Sequence, residues 1–103
     1  MKTELEMLDE ICAYEAGEMD HDDEAVMMQR LINLGQWSFQ GSYGRAMMDA
    51  IESGRCMLGM RAARDYWGNI IPARDMVQPG TKGSREYVAE RMGEGWAEML
   101  EGV

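Results

Sequence analysis

Five residues constrain this chain more than any others. Tyr43, Ala46, Met47, Ala50 and Ile51 stand at i, i+3, i+4, i+7 and i+8. That spacing gathers apolar side chains on one side of an α-helix and scatters them over both faces of a strand. Ser42 is placed to cap this helix and Gly54 to close it. A second helix is predicted just upstream, through Met27, Met28, Leu31, Ile32 and Leu34. Asp20 or Asp22 caps it, and Gly35 ends it. Residues 3–17 read as a helix too: Thr3 and Glu6 fit a capping box, and Leu5, Leu8 and Cys12 follow helical spacing. Met7, Ile11 and Tyr14 widen that stripe, and Gly17 sits where a C′ glycine belongs.

A last helix is predicted from Ser84 to about Leu100, with Val88, Met92, Trp96 and Leu100 four residues apart. Glu86, Glu90, Glu94 and Glu98 form a parallel acidic row, whose like charges repel. Gly93 and Gly95 each weaken such a helix by roughly 1 kcal/mol relative to alanine, so it needs packing to persist. Residues 55–83 differ in kind. They hold both prolines, and residues 66–71 read as a hairpin or irregular β element turning at Gly68-Asn69. Pro79-Gly80 marks a second turn, with glycine at its second central position. Residues 36–40 form an aromatic connector.

The expected fold is therefore mainly α, a small domain of about four helices with a short β-hairpin or irregular segment near residues 56–80. At 103 residues there is room for a single domain, 1–103. Within it lie an acidic N-terminal helix (3–17), a helical core (22–54), a β/loop segment (55–83) and a C-terminal helix (84–100).

Charge is unevenly spread. The formal net charge is −9, and residues 1–24 hold ten acids against one base, Lys2. From residue 25 onward acids and bases balance. Such a field repels phosphate and attracts basic protein surfaces, although acidic runs also serve simply to solvate a face. The expected partner is accordingly a protein with a basic surface, contacted through Asp20, Asp22, Asp23 and Glu24. Trp37, Phe39, Tyr66 and Trp67 are the candidate aromatic anchors, because connectors and hairpins present aromatics more readily than helix cores do. Twelve methionines, three tryptophans and four tyrosines exceed what one small core requires, and a homodimer would use the surplus. No apolar stretch approaches the ~20 residues of a membrane helix. The chain turns acidic directly after its first residues, so no signal peptide and no membrane partner are expected, and the localisation expected is cytoplasmic.

Chemical motifs are sparse. His21, the one histidine, sits between Asp20 and Asp22, a setting that favours its charged form and suits a base poorly. Asp20, Asp22, Asp23 and Glu24 lack the glycine and spacing of a calcium loop. Two cysteines 44 residues apart and one histidine do not make a zinc site, and Cys12 and Cys56 read as buried, reduced thiols. Residues 79–84 fail the phosphate-loop pattern because Lys82 precedes Gly83. Lys82, Gly83 and Ser84 remain anion-site candidates at a helix start, with a capped turn as the simpler role. A helix-turn-helix over residues 23–53 would carry little basic charge. Nucleic-acid binding is therefore unfavoured, with Arg45, Arg55, Arg61, Arg64, Arg74 and Lys82 as its only candidate contacts. No catalytic residue, cofactor or metal is expected.

Residues 31–54 (LINLGQWSFQGSYGRAMMDAIESG) and 56–59 (CMLG) resemble a family of small proteins encoded by tailed bacteriophages. Residues 64–69 (RDYWGN), Pro72 and residues 79–84 (PGTKGS) add to the likeness, which covers roughly residues 25–84. The resemblance implies a phage accessory protein acting in the bacterial cytoplasm on a host, defence or phage factor. It implies no mechanism.

Overall fold

The computed structural model describes residues 17, 20–37, 41–65 and 67–103. Helix α1 (His21–Asn33) starts where Asp20 caps it, its carboxylate accepting from the Asp23 backbone N–H at 2.8 Å. Helix α2 (Gly41–Glu52) begins one residue before the predicted cap, so Ser42 falls inside its first turn. The pair is antiparallel: the Arg55 side chain, just beyond α2, donates to the His21 carbonyl at the start of α1 (3.0 Å). The apolar stripe of α2 is buried as its spacing requires, with Tyr43, Met47, Ala50 and Ile51 against Met28, Leu31 and Ile32 of α1.

Residues 56–59 then run back alongside α1, in its own direction. The Cys56 thiol donates to the Ala25 carbonyl (3.2 Å). One turn further on, buried Gln29 pairs with both backbone groups of Met57, accepting from its N–H (2.8 Å) and donating to its carbonyl (2.9 Å). An amide side chain thus does for Met57 what a neighbouring strand would do. Gly59 lies so close to the end of α1 that a Cβ there would meet the Ile32 carbonyl oxygen at 2.9 Å.

A two-stranded antiparallel hairpin follows, β1 (Ala63–Arg64) and β2 (Ile70–Ile71), with Ala63 opposite Ile71 and Arg64 opposite Ile70. The sequence placed this element within residues 66–71. The first strand in fact lies upstream, and the turn runs from Asp65 to Asn69. The reason is Asp65, whose carboxylate accepts from the backbone N–H groups of Trp67 (2.9 Å) and Asn69 (2.8 Å) and folds the loop over itself. A single 3₁₀ turn (Arg74–Met76) and the Gln78–Thr81 turn, with Gly80 at φ 90°, lead to the C-terminal helices.

The predicted helix over 84–100 is two helices, α3 (Arg85–Met92) and α4 (Glu94–Glu101), broken at Gly93. Gly93 has φ 98°, a conformation only glycine holds without strain, and the chain turns there. The break lets Val88, Ala97 and Leu100 converge on Met57 in a second core cluster, with Trp96 packed against both clusters. The break divides the expected acidic row, leaving Glu86 and Glu90 on α3 and Glu94 and Glu98 on α4. Glu94 pairs with Arg85, as does Glu101 at 2.6 Å. Among the described residues the fold is mainly α, four helices and one short hairpin, as the periodicity predicts. The N-terminal helix expected over 3–17, with Cys12, lies outside them apart from Gly17.

Candidate functional site

Among the described residues, three strongly exposed large apolar side chains lie on the hairpin or just before it. Trp67 is 69% exposed, Ile70 63% and Met60, just before β1, 70%. Strand alternation explains the division: Ile71 and Ala63 turn inward to the core, which sends Ile70 and Arg64 outward. Trp67 stands in the loop, where Asp65 fixes the backbone on either side of it. Exposed apolar groups gathered in this way mark contact surfaces.

Between the loop and α2 lies a notch of about 200 Å³. Gly44, Arg45 and Met48 line it from the helix, and Asp65, Trp67 and Ile71 from the hairpin, with buried Trp37 between them. Arg45 is exposed. Arg64 reaches across the loop to donate to the Gly68 carbonyl at 2.8 Å. A larger concavity of about 340 Å³ lies between α1 and α2, lined by Glu24 and Asp49 together with Arg55.

The other candidates from the sequence separate. Trp37 is 3% exposed and belongs to the core rather than to a contact surface. Phe39 and Tyr66 lie outside the described residues. Asp20, Asp22 and Asp23 are exposed and Glu24 half-buried at the start of α1. The hairpin lies at the other end of that helix, roughly 18 Å away at about 1.5 Å per residue. An added Cβ on Gly35, just past α1, would touch Ala63 of β1 at 3.4 Å. Acids and exposed tryptophan are therefore two sites.

The anion-site candidates Lys82, Gly83 and Ser84 sit in a capped turn. Ser84 is 2% exposed, and its hydroxyl accepts from the N–H groups of Gly80 (3.0 Å) and Tyr87 (3.1 Å) while donating to the Thr81 carbonyl (2.8 Å). Gly83 is buried on Leu58, and Lys82 alone is exposed. This is the capped turn, in which the Ser84 hydroxyl is fully used by the backbone. Of the candidate nucleic-acid contacts, Arg55 donates to the His21 carbonyl and Arg74 to the Leu58 carbonyl (2.8 Å). Burial lowers the Arg74 pKa, and Glu101 works against that shift. Arg45, Arg61, Arg64 and Lys82 remain exposed.

His21 is exposed with Nδ1 4.0 Å from Glu24. Cys56 is a buried free thiol, pushed up to about 12 by that burial despite the opposing charge of Arg55. Among the described residues no group of three or more His, Cys, Asp or Glu is placed to hold a metal ion, and no helix is long and apolar enough to cross a membrane.

A protein-family model described as "Domain of unknown function (DUF7417)" matches residues 1–78. The chain belongs to this family. The DUF7417 match takes in α1, α2, both strands and the 3₁₀ turn, so it includes the whole notch and the exposed hairpin. It ends before α3. No curated protein and no solved structure matches the chain.

Of two features that sequence reasoning missed, one had a weak signal and one had none. Gln29 occupies an apolar position of α1, at i+4 from Ala25 and i+3 to Ile32, and a polar side chain in such a stripe marks a buried partner. The notch had none, because α2 and the hairpin loop are about twenty residues apart and meet only through the tertiary fold.

Proposed function

We propose that this chain is a protein-interaction module that docks on its partner through the hairpin face, acting as a phage-encoded accessory protein in the bacterial cytoplasm. The observation that carries the docking reading is the exposure of Trp67 and Ile70 on one short hairpin and of Met60 just before it. Burying an apolar side chain of this size contributes about 1.5–3 kcal/mol, so three of them outweigh exposed ion pairs at about 0–1 kcal/mol each. Tryptophan is also enriched among residues whose removal costs an interface most. The phage setting rests on the resemblance of residues 31–59 and 64–84 alone. The acids at Asp20, Asp22, Asp23 and Glu24 serve this reading as a steering field for a partner carrying basic charge, acting on the rate of encounter more than on the strength of the complex.

The test is capture of a stoichiometric partner by the tagged protein from bacterial lysate, with and without phage infection, followed by elution in a salt gradient. The Trp67→Ala/Ile70→Ser variant is expected to lose the partner by tenfold or more, about 1.4 kcal/mol or greater. Neutralising the four acids together should flatten the salt dependence and leave the complex in place. Full capture by the hairpin variant would reject the docking reading, as would the absence of any stoichiometric partner.

A further inference from the structure

The two ends of α1 carry surfaces of opposite character. Past its last turn, the outward face of the hairpin presents Arg64 beside its cross-strand partner Ile70, both exposed. Trp67 stands in the loop, and Met60 and Arg61 are exposed just before β1. Asp65, the acid of this stretch, has its carboxylate turned into the loop by the Trp67 and Asn69 N–H groups. The surface is apolar and cationic, in a chain of net charge −9. The start of α1 carries Asp20, Asp22, Asp23 and Glu24. Here the end of α2 lies close, since the Arg55 side chain donates to the His21 carbonyl at 3.0 Å. The concavity of about 340 Å³ between the two helices opens beside these acids, with two carboxylates, Glu24 and Asp49, against the one cation Arg55. Met28, Ala46 and Ala50 give it an apolar lining.

We infer that a second copy of this chain covers the hairpin face: the hairpin of one copy seats at the acid-rimmed concavity of the next, head to tail. This rests on the hairpin being a docking face and names an occupant for it, with which a partner of another sequence would compete. Three features match across such a contact. Arg61 and Arg64 meet the carboxylates around the start of α1, and opposite charges facing one another fix register and exclude wrong partners. Trp67 and Ile70 meet the apolar lining and leave water. The two surfaces also lie at opposite ends of one helix, roughly 18 Å apart at about 1.5 Å per residue, so one copy can use both at once. A contact between unlike patches is heterologous, and it closes into a ring or continues as an open chain. Hairpin on hairpin, the two-fold alternative, fits less well because it gathers the arginines of both copies with no acid between them.

Sedimentation equilibrium of the purified full chain, from micromolar to millimolar concentration, tests this without any lysate. The parent should show a weight-average mass that rises with concentration. Trp67→Ala/Ile70→Ser removes the hairpin side. Asp22→Asn/Asp23→Asn/Glu24→Gln/Asp49→Asn removes the acid side and spares the Asp20 cap. Each variant should weaken association by at least about tenfold. The acid variant loses four negative charges, so an effect of net charge alone would strengthen association instead. An equimolar mixture of the two variants keeps one matched pair of surfaces, the hairpin of the acid variant and the acids of the hairpin variant. It should form a one-to-one dimer and nothing larger, which also shows that both variants are folded.

A monomer at every concentration overturns the inference, as does an acid variant that associates like the parent or a mixture that stays monomeric. Capture of a lysate partner through Trp67 by a chain that sediments as a monomer would leave the docking reading standing and reject the second copy as occupant.

Discussion

Gln29 is the residue whose side chain ties most of the molecule together. It holds Met57 at both backbone groups and donates to Asn33 (3.0 Å), which in turn donates to the carbonyl of Val103 (3.1 Å). Gln29→Leu fills the same space but leaves the Met57 N–H and carbonyl buried without partners. Each orphaned group costs about 1–3 kcal/mol, and urea unfolding should show a lower midpoint with an unchanged slope. Cys56 makes a different prediction. Its pKa is raised to about 12, so the native state keeps the proton that the unfolded state releases from about pH 8.5 upward. The neutral thiol therefore contributes stability that is complete below about pH 8.5 and declines as pH rises toward 12. In a Cys12→Ser background, a thiol reagent at neutral pH should label Cys56 only at the rate of opening, and immediately in denaturant.

At the scale of elements, the C-terminal helix pair shows how one glycine redirects a pattern. Val88, Met92, Trp96 and Leu100 have helical spacing, yet a straight helix would not let Val88, Ala97 and Leu100 close on the single point of Met57. Gly93→Ala removes the freedom at φ 98° and should cost about 1–3 kcal/mol, read as a lower thermal midpoint. Arg85 clasps the two helices by pairing with Glu94 and Glu101. Its hydrogen bond holds the Glu94 carboxyl below the usual range. The stabilisation is therefore present above the ordinary glutamate pKa of about 4.3 and is lost as pH falls through the lower native value. Hydrogen exchange in α4 should accelerate selectively under those acidic conditions, and Arg85→Gln should reproduce the change at neutral pH.

At the scale of the molecule, α1 belongs to the first core and separates two surfaces. Its start carries exposed acids, and its end abuts the arginine-flanked hairpin. Because Trp67 and Ile70 stand in solvent, Trp67→Ala/Ile70→Ser should move stability by no more than about 0.5 kcal/mol, the ordinary range for surface changes. A thermal midpoint near that of the parent, together with loss of the captured partner, would separate docking from folding. A collapse of the midpoint would place these side chains in the core economy instead.

The sequence by itself determined the mainly helical class, the extents of α1 and α2, the buried stripe from Tyr43 to Ile51, the turn at Gly80 and the concentration of acids before residue 25. Each of these follows from periodicity, capping or composition within a few turns of chain, where backbone geometry alone dictates which side chains share a face. Tertiary structure decided the rest. It sent Trp37 inward and left Trp67 outside, brought Val88 and Leu100 together on Met57 and set Arg45 beside the hairpin. Those outcomes depend on which surfaces meet across gaps of twenty residues or more. No local pattern encodes such meetings; the packing of α1, α2 and residues 56–59 around shared buried groups does.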